Sequence, residues 1–467
     1  MNPDMKNKDV QLESIDPATG KKTAEYKTLT EKELQSKIQA SEVCWQEWKS
    51  QSFTKRENLL EELSANLIKN KESLSEVITK EMGKPLNQSI REIEKCALLC
   101  RYYKEHGQRF LSDREEFLHY KKSYVHYAPL GGSFGIMPWN FPFWQVFRFA
   151  IPSLTAGNAV FLKHAENVTD CALTIERILH ESGWPKGIFT TLLIGRSQVE
   201  SVIANPFIKI VSFTGSAKTG QHIAELCGRY LKKNILELGG SDPYIVLEDA
   251  DISKSAEQII TSRLNNSGQS CIAAKRVIVE QSIYKELIQS LINQLTYKSI
   301  SHPFYNPDVG PLAKKEFVTQ LENIRDKDIK EGAKILFEKQ ASSEDNRKGF
   351  YFPITLMGDC SSLMECAQQE LFGPLLPVFC VENSAKALEM ANKTRFGLGA
   401  VIFTKNEELG EKWAKDQLNA GSCFVNGMVK SNPSLPFGGI NKSGYGRELS
   451  VEGIREFTNI KTIAVCH

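Results

Sequence analysis

Three things are missing from this chain of 467 residues. There is no excess of one charge: 58 basic residues against 56 acidic ones leave +2 at neutral pH, too little to draw in nucleic acid or an anionic bilayer. There is no membrane-length apolar run. The most apolar window, 141–162, is interrupted by Gln145, Arg148, Asn158 and two prolines, so it reads as buried core and not as a span. There is no ligand-type cysteine pattern: eleven cysteines are an odd number, with no C-x-x-C pair and no Cys/His cluster. That sets aside a disulfide framework and a structural zinc. No metal is expected, and free thiols suit a reducing, cytoplasmic compartment. Residues 1–16 are polar and lack the apolar stretch of a secretory signal, so the mature chain is expected to start here.

What is present has a globular balance, 41% apolar and 24% charged. At roughly 150 residues per domain there is room for two or three domains. Leu60, Leu63 and Leu67 repeat at helical spacing, Gly83 stops that region, and Ile93, Ala97 and Cys100 continue the period on another helix. Cys96 and Cys100 share a helical face there and read as packed small hydrophobes. The span 116–127 alternates through Phe117, Val125 and Tyr127, which predicts a hairpin whose edges need cover. Beyond Gly132, β-rich runs at 159–163, 189–194, 209–213, 244–247 and 276–280 alternate with helical periods such as 218–231 and 283–295. Strands alternating with helices predict parallel sheets and an α/β architecture.

Four runs carry chemistry. The strand at 209–213 leads into Thr214-Gly215-Ser216 and Gly220 before a helix, a turn where backbone N–H groups can meet a phosphate. Its G-x-x-x-x-G spacing is not the dinucleotide fingerprint, and Gln221-His222 stands where a P-loop needs Lys-Ser/Thr, so an ATPase reading fails. Past the strand at 159–163, Lys163 and Glu166 suit a ribose. An acidic residue there bonds both hydroxyls and repels a 2′-phosphate, which points to NAD over NADP. In Pro138-Trp139-Asn140-Phe141-Pro142 two prolines stiffen a turn from which Asn140 offers two N–H donors to a developing oxyanion. Cys271 closes the polar, glycine-flanked run 266–271, thirty-four residues after Glu237. A thiol of pKa about 8.5 is only a few per cent thiolate at neutral pH, so it needs activation by a base or a dipole, and Glu237 is the candidate base.

Together these runs resemble the aldehyde dehydrogenase superfamily, from about Asp16 to the C-terminus. The motifs that carry the likeness are 138–142, Lys163 with Glu166, 213–216, 236–240, 268–271, Glu370-Leu-Phe-Gly-Pro374 and Pro436-Phe-Gly-Gly439. The resemblance implies a Rossmann-type NAD domain (1–111 and 129–238), an α/β catalytic domain (239–440) and a small β oligomerisation flap (112–128 and 441–467), hence a homodimer or homotetramer. It implies Cys271 as nucleophile, Asn140 with the Cys271 backbone N–H as oxyanion hole, and Glu237 as the base that hydrolyses a thioester. It also implies cofactor contacts from Pro138, Trp139, Lys163, Glu166, Gly215, Ser216, Gly239, Glu370 and Phe372. Members that pass the acyl group to coenzyme A generally lack the glutamate, so a carboxylic acid is the expected product.

Closer similarity is to the NAD-dependent succinate-semialdehyde dehydrogenase branch. Arg148, eight residues after Asn140, matches an arginine that pairs the distal carboxylate there. A second arginine of that branch, six residues before the nucleophile, is Asn265 here, and Lys430 and Ser431 are candidate replacements. Arg148 has a second reading as a structural ion pair at the edge of the core. Three alternatives stay open: another short semialdehyde or a broad range of aliphatic aldehydes as substrate, a cofactor-free cysteine esterase, and a non-catalytic binding protein on the same fold. The esterase would need a histidine base, and no histidine motif lies beside Cys271.

Overall fold

The computed structural model describes residues 11–342, 345 and 348–467. Most of the polar N-terminal stretch, residues 1–10, lies outside the described residues. A capping box of Thr30 and Glu33 starts the helix Glu31–Trp48. The helix Phe53–Lys69 buries Leu59, Leu60, Leu63 and Leu67, the face its leucine spacing predicts. Gly83 ends the helix Lys71–Met82 in the left-handed conformation, φ 77°, which costs glycine no Cβ clash. The helix Leu86–Leu111 then buries Ile93, Cys96, Ala97 and Cys100.

Two large sheets follow. The first runs Gly444–Tyr445, Lys233–Glu237, Ile208–Thr214, Gly132–Met137, Ala159–His164, Phe189–Thr191, parallel throughout except for the short first strand. The second has seven strands ordered Lys334–Lys339, Ile354–Gly358, Leu375–Val381, Arg276–Glu280, Pro243–Val246, Gly399–Phe403, Ser422–Val425, with only its first pair antiparallel. The apolar window at 141–162 is core: the helix Trp144–Thr155 is buried at every position. This is the α/β arrangement that the alternating runs predict.

Two consequences place the chemistry. Residues 138–142, 165–166 and 215–216 all leave the carboxyl ends of parallel strands in the first sheet, where an α/β fold leaves its crevice. Residues 238–242 carry the chain from the first sheet to the second, so Glu237, Gly239 and Gly240 sit at the junction of the two. The C-terminal segment 441–467 is divided. Gly444–Tyr445 joins the first sheet, the helix Ser450–Glu456 follows, and only Thr458–Val465 pairs with Lys122–Pro129 and Arg114–Glu115 in a separate three-stranded sheet. The hairpin predicted at 116–127 is thus completed by the chain's last strand.

Candidate active site

A cavity of about 390 Å³ opens at the junction. Its walls bring together Asn140 and Cys271 with Pro138, Trp139, Gly215, Ser216, Gly239, Glu370 and Phe372. Glu237 directly precedes the wall residues Leu238 and Gly239. Glu237 itself, Lys163, Glu166, Arg148, Lys430 and Ser431 are not among its lining.

Cys271 ends a loop of unusual backbone. Asn266, Ser267 and Gly268 take φ values of 54°, 55° and 76° in succession, a left-handed run that side chains resist. Buried hydrogen bonds hold it there. Asn266 Nδ2 donates to the carbonyls of Asn140 (2.6 Å) and Gln269 (3.0 Å), and Gln269 Oε1 accepts from Ala313 N at 2.9 Å. Arg263, fully buried, donates to the carbonyls of Ala274, Gly268, Leu371 and Gly373. One guanidinium therefore fastens the Cys271 loop to the loop bearing Glu370 and Phe372. Asn140 Nδ2 donates to Gln269 O at 3.1 Å, which orients the side-chain amide over the same loop.

Burial sets the protonation states. It pushes the Cys271 thiol up to about 12, while Arg148 pulls the other way. The Glu237 carboxyl is raised well above the usual carboxylate range, first by burial and then by the neighbouring Glu448. Glu237 Oε1 has no hydrogen-bond partner. A Cβ on Gly438 would lie 2.8 Å from that oxygen, so the glycine of the 436–439 motif makes room for the carboxylate.

The cofactor residues form a cradle with unsatisfied polar atoms. Thr214 Oγ1 is buried without a partner at the mouth of the turn, and Ser216 caps the helix Ala217–Arg229, whose N-terminal N–H groups favour an anion. Trp139 stacks on Phe317 at 4.9 Å and meets Phe372 edge-on at 5.7 Å. Glu370 accepts from Gly240 N at 3.0 Å and faces Lys275 at 3.9 Å, and a Cβ on Gly239 would collide with its carboxylate. Orphaned donors and acceptors, a helix N-terminus and an aromatic wall fit a dinucleotide.

Sequence reasoning missed Arg263, Lys275, Glu448 and Arg196. Only Lys275, four residues past the nucleophile, carried a local signal. Arg148 is buried and ion-paired with Glu448 through Nε, with Phe437 under its guanidinium at 4.5 Å, and its Nη2 has no hydrogen-bond partner. Ser431 is buried, and Lys430 is exposed.

Cys271 and Asn140 on one cavity wall, beside a cradle that fits a dinucleotide, are the site of an oxidoreductase. The chain belongs to the aldehyde dehydrogenase family, whose model matches residues 5–463. It is 39% identical to a protein of Synechocystis sp. named probable succinate-semialdehyde dehydrogenase [NADP(+)], over 97% of this chain and 99% of that one. It is 38% identical to the succinate-semialdehyde dehydrogenase [NADP(+)] of Mycobacterium leprae, with the same coverage. The crystal structure of succinic semialdehyde dehydrogenase from Streptococcus pyogenes, in complex with NADP+, superposes with a TM-score of 0.94 at 30% identity, covering 98% of this chain and 100% of that one.

These findings overturn the expectation of NAD over NADP. Glu166 by itself would repel a 2′-phosphate, but it does not stand alone: Arg196 Nε lies 3.9 Å from Glu166 Oε1 with its side chain 90% exposed. With Lys163 beside them the cluster carries two cations against one anion. The strand-end pattern could not show Arg196, which arrives from a turn thirty residues further on.

Proposed function

We propose that this protein oxidises succinate semialdehyde to the dicarboxylic acid, with NADP as electron acceptor and an acyl-enzyme on Cys271. The observation that carries the reading is Cys271 and Asn140 on one cavity wall, with Glu237, whose buried Oε1 has no partner, directly before the wall residue Leu238 in the chain. The names of the relatives support the substrate and cofactor. A nicotinamide dinucleotide bound in the cradle supplies the hydride acceptor. Ser216 and the helix it caps would hold the pyrophosphate, Glu370 a ribose, and Lys163 with Arg196 the 2′-phosphate end.

The chain's own residues do the rest. Cys271 rests as a thiol, and as its sulfur bonds to the aldehyde carbon its proton passes to water in the cavity, which leaves Glu237 for the later step. The oxygen that becomes anionic meets Asn140 Nδ2, and losing such a donor costs about 3–4 kcal/mol in the transition state. Glu237, with a carboxyl raised by burial, then accepts a proton from the water that attacks the thioester.

Steady-state rates with succinate semialdehyde and with neutral aldehydes, each with NADP and NAD, test the reading. The expected result is kcat/KM highest for succinate semialdehyde with NADP, and about a ten-fold rise in the NADP KM on Arg196→Ala with little change for NAD. Equal kcat/KM for the two cofactors would count against NADP, and a neutral aldehyde outrunning the semialdehyde would count against the substrate.

The quaternary reading is a homodimer or a homotetramer through the three-stranded sheet, where Phe117, Leu118 and Ile460 are exposed. Such short sheets are marginal alone. Light scattering is expected to return at least twice the chain mass, and a stable monomer would overturn it. All eleven cysteines are unpaired, which supports a reducing, cytoplasmic setting. No helix among the described residues is long and apolar enough to cross a membrane.

A further inference from the structure

One segment of the cofactor wall, Glu370-Leu371-Phe372, is gripped by a single buried lysine. Lys275 is fully buried and enters the strand Arg276–Glu280 four residues after Cys271. Its Nζ donates to Leu371 O at 2.6 Å, stands 3.9 Å from Glu370 Oε1 and lies 4.6 Å from the ring centroid of Phe372. Three consecutive residues thus meet one ammonium. Arg263 shares Leu371 O at 3.0 Å and bonds Gly373 O, so on this segment it holds carbonyls only. Among the described residues Lys275 is the one cation within ion-pair distance of Glu370.

Glu370 has half of its carboxyl to spare. Oε1 accepts from Gly240 N at 3.0 Å, while Oε2 makes no hydrogen bond among the described residues. The residue lines the cavity together with Cys271 and Asn140, so that oxygen remains for a ligand there.

Neither member of the pair would hold its charge alone. Burial pushes the Glu370 carboxyl up, and Lys275 and then Arg263 pull it back. Burial likewise pushes the Lys275 ammonium down, and Glu370 pulls it back. In a dry interior two opposite charges this close stabilise each other, and removing one leaves the other to neutralise. The other titratable groups facing the pair are Arg263 from the helix Ile252–Leu264, Cys271 from its loop, and Asp242 from the junction segment with Arg276 beside it.

Resting on the dinucleotide reading of the cavity, we propose that Lys275 is a positioning residue for the cofactor: it keeps Glu370 ionised and in place as acceptor for the hydroxyls of the ribose next to the nicotinamide. The lysine itself touches no part of the cofactor. It ties the reactive half of the dinucleotide to the strand that begins just past Cys271. An ionised carboxylate accepts a hydroxyl proton more strongly than a neutral acid does. Without Lys275, Glu370 is protonated at neutral pH and regains its charge only in more alkaline solution, so the loss of grip is greatest at low pH and fades as pH rises.

The test is fluorescence titration of the cofactor-free enzyme between pH 7 and pH 9, in which Kd is measured for NADP and for adenosine 2′,5′-bisphosphate. The bisphosphate carries the 2′-phosphate end and no second ribose, so the ratio of the two Kd values isolates the far half of the cofactor. In Lys275→Met the NADP-to-bisphosphate ratio is expected to rise about ten-fold at pH 7 and to return toward the parent value by pH 9. Lys275→Arg should restore it. In Glu370→Gln the ratio should be raised at every pH, with no further rise when Lys275→Met is added. A parental ratio in Lys275→Met at pH 7, or a rise that does not fade with pH, overturns the proposal. In the unsubstituted enzyme the ratio is expected to stay level from pH 7 to pH 9, a measurement that holds even if Lys275→Met fails to fold. A ratio that falls several-fold over that range shows Glu370 protonated in spite of Lys275 and also overturns it. A parental ratio in Glu370→Gln takes Glu370 off the ribose and the proposal with it, while the dinucleotide reading stands. Failure of the unsubstituted enzyme to bind either compound overturns both.

Discussion

Replacing Cys271 by alanine is expected to lower aldehyde oxidation by about 10⁴-fold or more, with the fold intact. The size follows from the loss of a covalent route: residues that act as one unit in such catalysis fail together when the nucleophile goes, and only binding and oxyanion stabilisation remain. Cys271 is partly exposed on the cavity wall, and its side chain holds no structural bond, so its removal leaves the loop fastened by Asn266 and Arg263. The measurement is NADPH formation from succinate semialdehyde, with thermal unfolding as control. Turnover within ten-fold of the parent would remove Cys271 from the mechanism. It would also revive a cofactor-binding protein with its chemistry elsewhere. The other ten thiols provide an internal comparison. Cys96, Cys100, Cys171, Cys227 and Cys366 are buried in the core, and alanine there should change stability more than rate.

Glu237→Gln separates the two halves of the reaction. The amide keeps the shape and removes the base, so acylation of Cys271 proceeds while water attack slows by about 10²–10⁴. A burst of about one NADPH per Cys271 followed by a near halt is the expected trace. Steady turnover without a burst would show that another group accepts the proton. The pH dependence has a definite sign. Burial and Glu448 raise the Glu237 carboxyl, so the base is protonated at low pH and gains its charge only above the ordinary carboxylate range of about 4.3. Deacylation therefore climbs with pH through the raised value, and the climb should vanish in Glu237→Gln. Glu237→Asp keeps the charge, but it withdraws the carboxylate from the space Gly438 leaves open, so it should slow deacylation without creating a full halt.

Much of this was legible along the chain. Periodicity located the helix face of Leu60, Leu63 and Leu67 and most parallel strands, because amphipathic spacing is a local property. Turn chemistry marked 138–142, 214–216 and 266–271, since prolines and glycines record backbone demands directly. For Arg148 the sequence left two readings, a carboxylate ligand and a structural ion pair. Its identity says that a cation sits there, but only the approach of Glu448, 300 residues later, supplies the pair. The cofactor preference failed for want of such a neighbour: Glu166 was visible at a strand end, and Arg196 beside it was not.

By itself the sequence determined the α/β class and the motif order and singled out Cys271, Asn140 and Glu237 as candidates, because each is written in residue type and short spacing. Tertiary structure alone decided which charges are paired, which carboxyl is raised and which cation remains for a ligand. Electrostatic balance is a sum over neighbours in space, at distances where burial multiplies every interaction, and those neighbours are supplied by segments that the sequence keeps far apart.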